Sequence, residues 1–221
     1  MVYLDRIDAG RKLAARLTAY ADHSDVVVLG LPRGGVPVAF EVAQALHAPL
    51  DVFVVRKLGV PGHEELAMGA IATGDVRVLN DDVIRMLNVP ERIIDVVTAR
   101  ERIELQRREH AYRGDRPPLS VRAHTVILVD DGLATGSTMR AALAALRRQG
   151  PKRLVVAVPI GAAETCAEFQ READDVVCAS TPEPFYAVGV WYHDFSETSD
   201  AEVRELLEQA ADHQSATAGS V

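Results

Sequence analysis

The stretch VILVDDGLATGSTM, residues 126–139, places two adjacent carboxylates, Asp130 and Asp131, at the end of an apolar run and follows them with a turn rich in Gly, Thr and Ser. Set between a strand and a helix, Ala134, Thr135, Gly136, Ser137 and Thr138 offer unpaired backbone N–H groups and the positive end of a helix dipole. That combination binds an anion such as phosphate, and the three hydroxyls add donors. Two carboxylates beside a phosphate would repel it unless something lies between. A ribose 5-phosphate satisfies both demands: its phosphate lies in the turn while its vicinal hydroxyls donate to Asp130 and Asp131. The carboxylates would also stabilise positive charge developing on the ring. Other phosphate loops do not fit. The Walker A pattern fails because Gly132 to Gly136 is one residue short and Ser137 stands where a Lys is required. No G-x-G-x-x-G follows any candidate strand.

The elements that must position this turn read as alternating β-branched runs and helical stretches, the pattern of a parallel sheet covered on both faces. Strands are expected at 25–31, 49–56, 125–130, 153–159 and 175–179, and helices at 36–46, 138–148 and 162–171. The expected fold class is therefore α/β, an open, mainly parallel sheet with helices on both faces. Such sheets bind ligands at the carboxyl ends of their strands. The loops leaving those ends are LPRGGVP (31–37), VRKLGVPGHEELAMGA (55–70) and VDDGLATGST (129–138). Within one domain spanning 1–221, residues 75–124 leave the alternation. They predict a short hairpin near 76–79, then helices from Asp81 and from Pro90, together a helical insertion or hood. Ser199-Asp-Ala-Glu202 has capping-box spacing and opens a last helix to about Ala211, leaving 212–221 as a flexible tail.

Composition narrows the partners. With 48% hydrophobic and 25% charged residues the chain is globular in character. The charged start and a longest apolar run, 154–163, far short of the ~20 residues that span a bilayer predict a soluble, cytoplasmic protein with no membrane partner. A net charge of -8 argues against nucleic acid, which needs many unopposed Lys and Arg contacts. The Arg-dense segment 91–122 carries interleaved acids, with Glu104 four residues before Arg108, as in a solvated helix. Cys166 and Cys178 have no metal-like spacing around them and read as two small buried residues, a disulfide not being expected. The seven His residues show no H-x-x-x-H or H-E-x-x-H pattern, so no zinc site is expected.

At VILV-DD-GLA-TGST the chain resembles the type I phosphoribosyltransferases, whose motif is four apolar residues, two acids and a turn ending T-G-x-T. The resemblance implies binding of phosphoribosyl pyrophosphate (PRPP) with Mg2+, and transfer of its phosphoribosyl group to a small nitrogenous acceptor, most plausibly a purine-like base. Leu31-Pro-Arg-Gly-Gly35 then resembles the family's pyrophosphate loop, with Arg33, Gly34 and Gly35 as contacts. Arg56 and Lys57 resemble a basic pair that contacts pyrophosphate in several branches of the family. The Gly-rich segment 58–70 would be the mobile loop. Glu64 and Glu65 are its only acids; Glu65 is the preferred general base, the alternative being that both are ordinary solvated residues. By the same resemblance Asp130 and Asp131 hold the ribose diol, and Asp131 and Asp194 lie near the metal.

The acceptor is less constrained. Ala134 occupies the position where hypoxanthine-guanine enzymes carry a carboxylate, and the turn is closer to the adenine type, but the Y-x-L-E-Y pattern of adenine enzymes is missing from 58–70. The segment 185–195 resembles a base-binding segment, with Tyr186 as the stacking residue, and reads equally well as a core strand with buried aromatics. The expected assembly is a homo-oligomer, a dimer. Two other readings stay open: a PRPP-binding regulator without catalysis, and a hydrolase that uses water as acceptor.

Overall fold

The computed structural model describes the backbone of residues 2–218 and the side chains of residues 2–214. In chain order the elements are α1 (Arg6–Ala14), β1 (Val26–Gly30), α2 (Gly35–Leu46), β2 (Leu50–Val52), β3 (Val55–Val60), β4 (His63–Ala72) and β5 (Val76–Leu79). They continue with α3 (Asp81–Met86), α4 (Glu91–Arg113), β6 (Thr125–Val129), α5 (Ser137–Arg148), β7 (Arg153–Ile160), α6 (Ala163–Phe169), β8 (Asp175–Ser180) and α7 (Asp200–Ala218). Five strands form a parallel sheet in the order β2-β1-β6-β7-β8, as expected from the alternation.

β1 and β6 are buried at every residue because both faces of the sheet are covered, so they read as continuous apolar runs. Val26, Val28, Ile127 and Val129 pack against α1, α2, α4 and α7. Val27, Leu29, Val126 and Leu128 face the other way, onto α5 and Phe169 of α6. From β1 the chain goes to β2 on one side and later returns to β6 on the other. The carboxyl ends of β1 and β6 therefore flank the crevice where open α/β sheets take their ligands.

The expected strand at 49–56 is in fact divided. Leu50–Val52 joins the parallel sheet, whereas Val55–Val60 begins a separate antiparallel ribbon, β3-β4-β5. Phe53 N–H donates to the Gly30 carbonyl at 3.0 Å and Val54 N–H to Thr73 Oγ1 at 3.0 Å, handing the chain from one sheet to the other without a Gly or Pro. Most of 58–70, read as a loop, is strand in β3 and β4, with only Pro61-Gly62 turning between them. The hairpin expected near 76–79 forms, with β5 pairing antiparallel to β4 as the third strand of that ribbon. The helices expected from Asp81 and Pro90 form, and α4 packs on β3, β4 and α7.

α4 is solvated only in part. Glu104 pairs with Arg107 and Arg108 at 2.8 Å each on the exposed face. Glu101 and Arg113, in contrast, are buried. Arg113 Nε donates to Asp51 Oδ1 at 2.7 Å and its NH2 to the Val52 carbonyl at 2.6 Å, tying the end of α4 to the edge strand β2. Asp51 Oδ2 accepts from Leu119 N–H at 3.0 Å, so both oxygens are used.

The cysteines correct the sequence reading: Cys166 and Cys178 form a disulfide, with Cα atoms 6.6 Å apart. β7 and β8 are parallel neighbours joined through α6, so the chain doubles back and α6 comes to lie beside β8. This proximity is not visible in a 12-residue spacing. Ser199 caps α7 as expected, its Oγ accepting from Glu202 N–H at 3.1 Å, but the helix runs to Ala218, through part of the expected tail. Residues 219–221 of that tail lie outside the described residues. Among the described residues no helix is long and apolar enough to cross a membrane.

Asp51→Ala leaves the buried Arg113 guanidinium with Glu109, at 3.3 Å, as its carboxylate partner and removes the acceptor of the Leu119 N–H. It should lower the unfolding free energy by about 1–3 kcal/mol in urea denaturation, the cost of taking one partner from buried hydrogen-bonding groups. The double variant Asp51→Leu, Arg113→Met should recover part of that loss; no recovery would show that the pair acts by more than its charge.

Candidate functional site

The loop after β1 and the loop after β6 meet in the crevice. Leu31 N–H donates to the Val129 carbonyl at 2.9 Å, and the chain then turns through Pro32, Arg33, Gly34 and Gly35, with a cis peptide between Pro32 and Arg33. A Cβ on Gly34 would stand 2.0 Å from Asp131 Oδ2, and one on Gly35 would stand 2.8 Å from the Val129 carbonyl oxygen. Only residues without side chains let this loop lie against the acid pair.

Asp130 Oδ1 accepts from Asp131 N–H at 2.9 Å. Burial, reinforced by the neighbouring Asp131 charge, pushes the Asp130 carboxyl well above the usual carboxylate range. Burial also raises Asp131, against the opposing pull of the Arg6 guanidinium. Arg6 Nε donates to Asp131 Oδ2 at 2.9 Å, with both side chains largely buried. From the other side Tyr192 OH donates to the Asp131 carbonyl at 2.5 Å, and burial raises this phenol. Asp130 Oδ2 and Asp131 Oδ1 carry no hydrogen bond among the described residues and are the oxygens left for a ligand.

Beyond the acids the chain forms the turn. Gly136 adopts φ +71°, and a Cβ there would stand 2.4 Å from Phe169 Cε2, so the turn needs glycine twice over. Thr165 Oγ1 donates to the Ala134 carbonyl at 2.7 Å and Arg140 NH1 to the Thr135 carbonyl at 3.0 Å, fixing the backbone from outside. α5 then starts at Ser137 with no side-chain cap, leaving its first N–H groups for an anion. A cavity of about 160 Å3 opens there, lined by Asp130, residues 132–139 and Val188. Lys57 Nζ reaches over from β3 and donates to Ser137 Oγ at 3.3 Å.

The structure thus brings Asp130, Asp131, the turn residues Ala134, Thr135, Gly136, Ser137 and Thr138, Gly34, Gly35 and Lys57 together. Other predicted residues are engaged elsewhere. Arg33 pairs with Glu197 and, at 3.7 Å, with Asp200. Arg56 is turned to α4, where its NH2 lies 2.6 Å from Glu101 Oε2. Glu65 is exposed near the tip of the β3-β4 hairpin, and Tyr186 is 81% exposed. Asp194 accepts from Ser196 N–H at 2.9 Å and lines a different cavity, with Asp5, Arg6 and Glu197. Among the described residues no three His, Cys, Asp or Glu side chains are grouped to hold a metal. The acid pair alone offers oxygens to a divalent cation, which would take its other ligands from water and a bound molecule.

Two residues at the centre were not singled out from the sequence, Arg6 and Tyr192. The capping pair Asp5 and Asp8 signals where α1 starts, but nothing local says that its first residue turns back toward position 131. Tyr192 lies in the aromatic segment 185–195, six residues after Tyr186.

Comparison with known proteins agrees with this geometry. The family profile described as the phosphoribosyl transferase domain matches residues 3–195. A Mycobacterium tuberculosis protein provisionally named a phosphoribosyl transferase is 52% identical over 206 residues, 93% of this chain but 46% of that protein. The chain therefore spans about half the length of that curated relative. The bifunctional protein PyrR of Pelotomaculum thermopropionicum is 32% identical over 134 residues, 59% of this chain and 68% of that protein. The crystal structure of a Thermus thermophilus protein, TT1426, superposes with a TM-score of 0.85 at 42% identity, covering 95% of this chain and 99% of that one. The chain belongs to the phosphoribosyl transferase family.

Proposed function

We propose that the protein transfers the 5-phosphoribosyl group of PRPP to a nitrogen of a small acceptor, most plausibly a purine-like base, releasing pyrophosphate. The observation that carries this reading is the half-buried acid pair set one turn ahead of an uncapped helix N-terminus, with Gly34 and Gly35 pressed against it. In this reading the N–H groups and hydroxyls of 134–138 hold the 5-phosphate. Asp130 and Asp131 accept from the ribose hydroxyls, Gly34, Gly35 and Lys57 face the pyrophosphate, and Arg33 would join them on leaving Glu197 and Asp200. Arg56 would join them only on leaving Glu101.

In the transfer the anomeric C–O bond to pyrophosphate breaks and a C–N bond to the acceptor forms. The electron pair of the broken bond leaves with pyrophosphate, and the acceptor's proton goes to a base. Glu65 is the candidate base, carried toward the crevice by movement of the β3-β4 hairpin. The paired carboxylates stabilise the positive charge that builds on the ribose ring. Mg2+, held mainly by waters, the ligand's oxygens and Asp131, would neutralise the leaving group. The reading favours a cytoplasmic protein of nucleotide salvage, acting as a dimer and without nucleic acid.

A second reading is a PRPP-binding regulator with little or no transfer. It is favoured by Ala134, which gives the turn no group able to take a proton, and by the exposure of Tyr186.

Calorimetric titration with magnesium and PRPP, followed by a pyrophosphate-release screen over purines, pyrimidines and simple amines, separates the two. Binding with acceptor-dependent release supports the transferase, and binding without release supports the regulator. Release of ribose 5-phosphate without acceptor indicates hydrolysis, and no binding overturns the site reading. Asp130→Asn with Asp131→Asn should weaken PRPP binding on the order of 100-fold, the worth of two charge-assisted hydrogen bonds.

Asp130 also has a stability signature. Its folded pKa lies above its unfolded one, so its charge opposes folding above the raised value, and that cost is relieved as pH falls through it. Without ligand or magnesium at pH 8, Asp130→Asn should therefore match or exceed the wild-type Tm in a thermal melt. A clear drop would mean that the charge is compensated in the fold.

A further inference from the structure

Arg6 sits where three parts of the molecule meet. It is the first residue of α1, and that start is fixed on both sides: Asp5 Oδ1 accepts from Asp8 N–H at 2.8 Å, and Asp8 Oδ2 accepts from Leu4 N–H at 3.0 Å. The strand-like segment before it is pinned to the far end of the chain. Tyr3 N–H donates to the Trp191 carbonyl at 2.8 Å, and Asp194 N–H to the Leu4 carbonyl at 2.9 Å. From this anchored position the guanidinium reaches the Asp131 side of the crevice, lining the neighbouring cavity with Asp5, Asp194 and Glu197. Its NH1 donates to the Ser196 carbonyl at 2.6 Å, and its Cζ lies 4.1 Å from the centre of the Phe195 ring. Its Nε is left for Asp131 Oδ2, at 2.9 Å. The same Nε would be 3.1 Å from a Cβ on Gly34, so Arg6 borders the loop after β1 as well as the acid pair.

Held by the Ser196 carbonyl and the Phe195 ring, the guanidinium has little freedom to follow its carboxylate. It is the carboxylate that is placed. With Oδ2 bonded to Arg6 and the main-chain carbonyl bonded to Tyr192, Asp131 has one orientation, in which Oδ1 remains open to a ligand. We propose that Arg6 is a positioning residue of the phosphoribosyl site. It acts through Asp131 by fixing which carboxylate oxygen meets the ribose hydroxyls, and Phe195 and Ser196 serve as its seat. The proposal rests on the reading of this crevice as a PRPP site.

The test is a double-mutant cycle read by calorimetry with PRPP and magnesium, on the full chain, with a thermal melt for each variant. Arg6→Gln should weaken PRPP binding about tenfold, the worth of one charge-assisted hydrogen bond. Once Asp131→Asn is present, adding Arg6→Gln should change affinity by less than about twofold, because a residue acting through another adds nothing after that residue is gone. Arg6→Lys keeps the charge without the fork and should fall between Arg6→Gln and wild type. Phe195→Leu removes the seat and leaves the charge. It should weaken binding in the wild-type background and have no effect once Asp131→Asn is present, which keeps the test decisive if Arg6→Gln itself folds poorly.

Additive losses from Arg6→Gln and Asp131→Asn would overturn the proposal, showing that Arg6 meets the ligand directly. Wild-type affinity in Arg6→Gln would overturn it as well, while leaving the site reading intact. Failure of the wild-type protein to bind PRPP would instead remove the site reading, and the proposal with it.

Discussion

Two carboxylates on consecutive residues, both half-buried at the end of β6, are the constraint around which this molecule is arranged. In a medium of low polarity they repel each other and resist ionisation. Arg6 meets the Asp131 carboxylate with a positive charge, Tyr192 donates to the Asp131 main-chain carbonyl, and Gly34 and Gly35 lie against the pair with nothing that would collide. The sheet makes this possible by reversing its winding between β1 and β6, so that two loops with opposite needs, one carrying acid and one carrying glycine, open into the same crevice.

The parts of the fold that were legible in the sequence are those whose cause is local. β1, β6 and β7 appear as apolar runs because both their faces are covered, and α2 and α5 follow at the spacing that a parallel crossover needs. The acid pair and turn at 130–138 were legible for the same reason, since anion binding at a helix start is written in adjacent residues. What stayed hidden depends on neighbours distant in sequence. Arg6 lies 125 positions from its partner Asp131, and no periodicity encodes that distance. The passage from β2 to β3 runs through Phe53 and Val54, two apolar residues that look like more strand. The disulfide needed the crossover from β7 to β8 before its geometry could exist.

Charge patterning misled in an instructive way. The Arg-rich segment that becomes α4 carries acids at helical spacing, and Glu104 with its two Arg neighbours behaves as that pattern suggests. Yet the same helix buries Glu101 against Arg56 and Arg113 against Asp51. A sequence shows that charges alternate but not which face the rest of the molecule covers. The consequence reaches the site, because Arg56, a plausible anion ligand by position, is engaged by Glu101 instead.

The hydrogen bonds between the first residues and the segment around 190–196 set an order of events during synthesis. Tyr3, Leu4 and Arg6 are translated well before their partners Trp191, Asp194 and Ser196. At about 5–20 residues per second, the parallel sheet has every strand available before Tyr192 and Phe195 leave the exit tunnel. Until then Asp131 has neither its tyrosine nor a seated arginine. A nascent chain can thus have every strand of its sheet available while its crevice is still unassembled, and binding competence waits for residues 190–196 rather than for the sheet.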